Sequence, residues 1–148
     1  MLDLLRGIAL LAPATAAGAV MSEASWRPRM ESLVRSGSWS AALSLIDSIQ
    51  ADGGGEISQG GWNAAITACA RSKDPAASHA AVATLERVPK PCAKCYTSAI
   101  TACRGRWEAA LELFDNMASE GLPRGERALT ACLNSLADAG KWEEAISL

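Results

Sequence analysis

The chain has 148 residues, enough for one domain with a real core. Alanine alone supplies 30 residues while aromatics make up 5%, which excludes a β-sandwich or barrel, and the charged fraction of 20% with mean hydropathy +0.08 excludes global disorder. The net charge of −2 excludes a uniformly basic nucleic-acid binder but hides a split: residues 71–107 carry 7 basic and 2 acidic side chains, and residues 108–148 carry 3 and 8.

Residues 1–25 stand apart. Arg6 precedes an apolar run from Ile8 to Val20, broken by Pro13 and followed by no comparable run. The layout resembles a cleavable targeting segment, and a frayed apolar helix is the alternative. After residue 25 no stretch of 18 apolar residues appears, so no membrane span is expected.

From residue 26 onward a repeat emerges. Trp26, Arg29, Met30 and Leu33 stand at offsets 0, 3, 4 and 7, one face of an α-helix. Trp62, Ala65, Ile66 and Cys69 take the same offsets, as do Tyr96, Ala99, Ile100 and Cys103, and then Leu129, Cys132, Leu133 and Leu136. A second helix follows each of these. Trp39, Ala42, Leu43, Ile46 and Ile49 set its pattern, and Trp107, Ala110, Leu111, Phe114 and Met117 copy it. Pro75, Ser78, His79, Val82 and Leu85 keep the spacing with weaker chemistry, and Trp142, Ala145 and Ile146 begin it again. The pattern predicts units starting near residues 26, 62, 96 and 129, the last truncated. Trp39, Trp107 and Trp142 read as core anchors, and His79 as a weakened core position.

The punctuation fits. Gly37, Gly105 and Gly140 fall between paired helices, where a left-handed residue ends a helix. Asp74 before Pro75 supplies an N-cap oxygen and a ring with φ preset. The third unit's internal turn reads as two residues short, which predicts a pinched helix pair. Helix pairs that cannot bury both faces alone do so by stacking, so the expected fold is all-α: an α-solenoid of about four helix–turn–helix repeats in a right-handed superhelix.

The strings Y-T-S-A-I-T-A-C and W-E-A-A-L-E-L-F-D-N-M-A-S-E-G in the third unit, with G-K-W-E-E-A-I-S-L in the fourth, resemble pentatricopeptide repeats. The resemblance spans residues 26–148 and is looser in the first two units. It implies a noncatalytic, cofactor-free protein of a chloroplast or mitochondrion, acting in RNA processing, stability or translation. Single-stranded RNA would lie along the stacked first helices, one base read per repeat. By resemblance the reading positions are Pro28 with Gln59, Ala64 with Ala93, Ser98 with Glu126, and Ala131. Alanine has no hydrogen-bonding side chain, so base selectivity is expected to be weak.

Among the basic residues, Arg71, Lys73, Arg104 and Arg106 stand at first-helix ends or in the following turns, and are the candidate phosphate contacts. Solvated helix ends are the plainer explanation. Cys92 and Cys95 form one C-x-x-C; with no second pair and one histidine in the chain, they read as loop and helix-start thiols rather than a metal or redox site. The five cysteines do not read as a disulfide framework. No nucleophile–His arrangement or Gly-rich phosphate loop is apparent, so no catalytic residue and no small-molecule substrate is expected. The alternative function is a helical-repeat scaffold for protein partners.

Overall fold

A computed structural model describes residues 22–53 and 56–148. The targeting expectation falls on residues 1–21, outside those described, together with residues 22–25. Among the described residues there are eight helices and no strand: α1 (Glu23–Ser36), α2 (Trp39–Ala51), α3 (Gln59–Arg71), α4 (Pro75–Arg87), α5 (Ala93–Ala102), α6 (Trp107–Ser119), α7 (Glu126–Asp138) and α8 (Trp142–Ser147). Helix α1 thus opens inside the segment set aside as N-terminal. No helix among the described residues is long and apolar enough to cross a membrane.

The repeat fixes the helix starts. Each first-helix anchor (Trp26, Trp62, Tyr96, Leu129) is the fourth residue of its helix, and each second helix begins at Trp39, Pro75, Trp107 or Trp142. Gly37, Gly105 and Gly140 all take a left-handed φ, between 67° and 76°; Gly37 and Gly140 close the preceding helix, whereas Gly105 lies inside the turn after the Cys103 cap. Asp74 caps α4, accepting from the Ala76 N–H at 2.9 Å.

The third unit differs from expectation. Its turn is not short: residues 103–106 form the longest of the four intra-unit turns. The missing residues come from α5 itself, which has 10 residues where α3 and α7 have 13. The Cys103 carbonyl at this end accepts twice, from the Arg106 N–H at 3.0 Å and from the buried Ser135 hydroxyl of α7 at 2.9 Å, so the next unit ties into the turn.

The helices form two unequal layers. First helices pack directly on one another in the order α1–α3–α5–α7. Second helices pack on the first helix of their own unit and on that of the next, and not comparably on each other. The first helices therefore form a close row, with the second helices wedged behind it. One core runs the length of this array, from Trp26 to Cys132. Small residues set the spacing: Ala65 and Ala99 are wholly buried. At Gly61 an added Cβ would lie 2.6 Å from the Trp26 ring, so the α1–α3 approach requires glycine there.

The expected first-helix face is core in the second and third units and only in part in the others: Arg29 is exposed, and Leu33, Leu129 and Leu133 are half-buried. Trp26, Met30, Trp62, Ala65, Ile66, Cys69, Tyr96, Ala99, Ile100 and Cys103 are all buried. The second-helix face is rotated from the expected one. Its buried positions are offsets 3, 6, 7 and 10 in α2 and α6: Ala42, Leu45, Ile46 and Ile49, then Ala110, Leu113, Phe114 and Met117. Offset 4 is half-buried at Leu43 and Leu111 and exposed at His79, so His79 is a surface residue, not a core one. Offset 0 is not core either. Trp39 and Trp107 are half-buried, and Trp142 is 65% exposed.

The two half-buried tryptophans have a different job. Each reaches the internal turn of the following unit. The Trp39 indole donates to Asp74 Oδ2 at 3.3 Å, and the Lys141 ammonium lies 5.2 Å from the centre of the Trp107 ring. They join unit to unit, which explains aromatic side chains at positions that face partly outward.

Candidate nucleic-acid interface

The exposed side of α3, α5 and α7 forms an open groove of about 1070 Å³. Its floor follows from the register. With offsets 0, 3, 4 and 7 turned toward the core, offsets 1 and 5 point out of the layer, and these hold Asn63, Thr97 and Thr130, then Thr67, Thr101 and Asn134. All of these except Asn63 line the groove. The sequence carried this signal as a polar stripe on the face opposite Trp62 and Tyr96, but reading only offset 2 passed over it.

The threonines are not free donors. Thr67, Thr97, Thr101 and Thr130 each donate to the carbonyl four residues earlier, at 2.7–2.8 Å. Their remaining capacity is as acceptors. The floor thus offers hydroxyl lone pairs, and positive charge comes from the rim.

Arg71, Lys73 and Arg104 all stand on that rim, brought together from the end of α3, the α3–α4 turn and the α5–α6 turn. Arg106 does not line the groove. It is half-buried beside Cys103, and its Nη1 has no hydrogen-bond partner among the described residues. A fourth cation takes its place: Arg127, second residue of α7, lines the groove and is exposed. It lies within residues 108–148, whose 3 basic and 8 acidic side chains give no sign of a cationic contact there.

Two carboxylates, Asp74 and Glu126, share the groove with these four cations. Asp74 is committed to the Ala76 N–H and the Trp39 indole. Glu126 is exposed at the first position of α7, where the positive helix end favours an anion.

The reading positions divide. Ser98, Glu126 and Ala131 line the groove; Pro28, Gln59, Ala64 and Ala93 do not. Ala64, Ala93 and Ala131 are partly buried against the core. Gln59 donates its amide to the Lys90 carbonyl at 3.0 Å. Ser98 hydrogen-bonds Asn63 on the neighbouring first helix.

Among the described residues no cluster of three or more His, Cys, Asp or Glu is suited to a metal. Cys69, Cys103 and Cys132 are free thiols in the core. Burial pushes the Cys69 thiol up to about 11 and the Cys132 thiol to about 12, and raises Cys103 as well. They pack as small apolar groups.

Comparison with curated protein sequences gave no match. Comparison with family profiles gave two matches to the PPR repeat, at residues 95–122 and 127–148. The first spans all but the opening of α5, then α6; the second spans α7 and α8. The matches therefore coincide with two successive helix pairs of the solenoid, and α1–α4 continue the same packing with looser sequence. Residues 95–148 thus carry two PPR repeats, set in an all-helical solenoid.

Proposed function

We propose that this groove binds single-stranded RNA through its phosphates, with little selectivity for base. The reading rests on one observation: Arg71, Lys73, Arg104 and Arg127, from three different units, converge on the exposed face of the stacked first helices. Phosphate neutralisation supplies most nonspecific affinity. The threonine oxygens beneath can accept from a ribose 2′-hydroxyl or a base N–H. PPR proteins typically bind RNA, and this groove has the charge to do so.

Weak selectivity follows from the reading positions. Ala64, Ala93 and Ala131 have no polar group, and Glu126 opposes the phosphates. At one base per repeat, the array covers about four nucleotides. Affinity in the micromolar range or weaker is therefore expected of this chain alone. Its role is noncatalytic, in the processing, stability or translation of an organellar transcript. The organelle rests on the family resemblance and on the layout of residues 1–25. A fusion of those residues to a fluorescent protein tests it, with diffuse cytosolic signal as the contradicting outcome.

The binding test is a fluorescence titration of unstructured oligonucleotides of different base composition. Comparable affinities for different RNAs at low salt support the reading. No binding even at low salt contradicts it and favours a protein-binding scaffold. Tight binding to one sequence only would show that the bases are read elsewhere on the surface.

A further inference from the structure

Cys92 and Cys95 lie outside the groove, at the opening of α5. Cys92 is the N-cap residue, extended at φ −96° and ψ 168°. An N-cap side chain folds back over the N–H groups of the first turn. The Cys92 sulfur lies 3.4 Å from the Cys95 sulfur. Exposure divides the pair: Cys92 is half-buried, Cys95 wholly buried.

We propose that Cys92 and Cys95 form a reversibly oxidisable dithiol, with Cys92 as the attacking sulfur and Cys95 as the resolving one, reacting with a low-molecular-mass disulfide such as glutathione disulfide. The Cys92 thiol gives its proton to solvent, and the thiolate attacks one sulfur of the glutathione disulfide. That S–S bond breaks, one glutathione leaves as thiolate, and a mixed disulfide remains on Cys92. Cys95 then loses its proton and attacks the Cys92 sulfur. The second glutathione leaves, and a Cys92–Cys95 disulfide remains. Two electrons pass from the protein to the oxidant, which ends as two glutathione thiols. Side-chain rotation must bring the sulfurs from 3.4 Å to the bonded distance of about 2.05 Å.

The electrostatics assign the two roles. Burial raises the Cys92 thiol, but the Cys95 N–H, the Cys95 thiol and the Lys94 N–H outweigh it, and the net direction is down. Burial leads the opposite shift at Cys95, whose pKa rises to about 11. The thiolate therefore forms at the more accessible of the two sulfurs, where an incoming disulfide can reach it. Charge on Cys92 is one of the causes holding Cys95 protonated. Capping Cys92 as a mixed disulfide removes that charge, so Cys95 becomes easier to ionise when it is needed. A strand–helix–strand setting is not required for this chemistry; a helix start, a contact between sulfurs and unequal exposure suffice. Cys69, Cys103 and Cys132 do not compete, being buried with raised pKa.

The test treats the reduced full chain with glutathione disulfide, quenches with iodoacetamide and maps the peptides by mass. The wild type should accumulate a Cys92–Cys95 disulfide. Cys95→Ser should stall with one glutathione on Cys92, and Cys92→Ser should take up none in the same time. Alkylation of wild-type Cys92, which depends on no variant, should reach half its maximal rate at lower pH than free glutathione does. A persistent glutathione adduct on wild-type Cys92, a disulfide between other cysteines, or an alkylation midpoint equal to that of the free thiol would overturn the proposal. None of these readouts depends on RNA binding, so the two proposals fail separately.

Discussion

Ser98 donates its hydroxyl proton to Asn63 Oδ1 at 3.1 Å, across the interface between α3 and α5. Thr67 Oγ1 lies 3.3 Å away on the same side. Ser98 is the reading position whose side chain best suits a base edge, and its hydrogen bond is already made to the neighbouring repeat. A base would have to displace Asn63 to gain it.

Ser98→Ala therefore acts on stability more than on recognition. Loss of one half-buried hydrogen bond should cost about 0.5–1.5 kcal/mol in urea unfolding. Relative affinities for RNAs of different base composition should stay the same. A changed base preference with unchanged stability would show that Ser98 faces the ligand, not Asn63.

The second-helix register makes a sharper contrast. Ile100 is wholly buried at the centre of the stacked first helices, whereas Trp142 is 65% exposed. Ile100→Ala should lower stability by about 2–5 kcal/mol, the range for a large core truncation. Trp142→Ala should stay within about 0.5 kcal/mol. Chemical denaturation of both variants decides. A Trp142 variant as damaged as the Ile100 variant would mean that the face at offset 0 is core after all.

Alkaline pH should loosen the fold. The folded thiols of Cys69, Cys95 and Cys132 have pKa values of about 11, 11 and 12 against an ordinary 9.0, and burial is the leading cause in each. Tyr96 rises to about 12 from 10.0, through burial and then its hydrogen bond to Glu120. A raised folded pKa favours the protonated form in the folded state. Its contribution is complete below the unfolded pKa and is lost as pH rises through the folded one. Stability under reducing conditions should be flat to pH ~9 and then fall toward pH ~12, with each thiol losing about 1 kcal/mol by pH ~10. A flat unfolding midpoint from pH ~8 to ~11 would contradict the burial of these groups.

Helix starts were legible in the sequence because periodicity, Gly37, Asp74 and Gly140 all mark them locally. The first-helix core was legible for the same reason: the face of Trp62, Ala65, Ile66 and Cys69 is uniformly apolar. The second helices misled because they are apolar more than half-way round. Leu43 and Leu45 both suit a core, and only the positions of the flanking first helices select Leu45. The tryptophans misled because size suggests burial, whereas Trp39 and Trp107 bridge to polar groups of the next turn. The length deficit in the third unit was visible, but its placement in α5 rather than in the turn shows only in the fold. Arg127 belongs to a segment, residues 108–148, that is acidic on balance, and it enters the groove only through the fold.

The most direct test of the phosphate groove is the salt dependence of RNA affinity. It should be measured by fluorescence anisotropy on the wild type and on a variant with Arg71, Lys73, Arg104 and Arg127 all changed to Glu. For single strands, the slope of log affinity against log salt changes by roughly 0.7 for each phosphate contact removed. The account predicts a steep negative slope in the wild type and loss of measurable binding in the quadruple variant. Changing Arg106→Glu instead should leave the slope as it was. Wild-type affinity independent of salt, or a quadruple variant that binds as the wild type does, would contradict it.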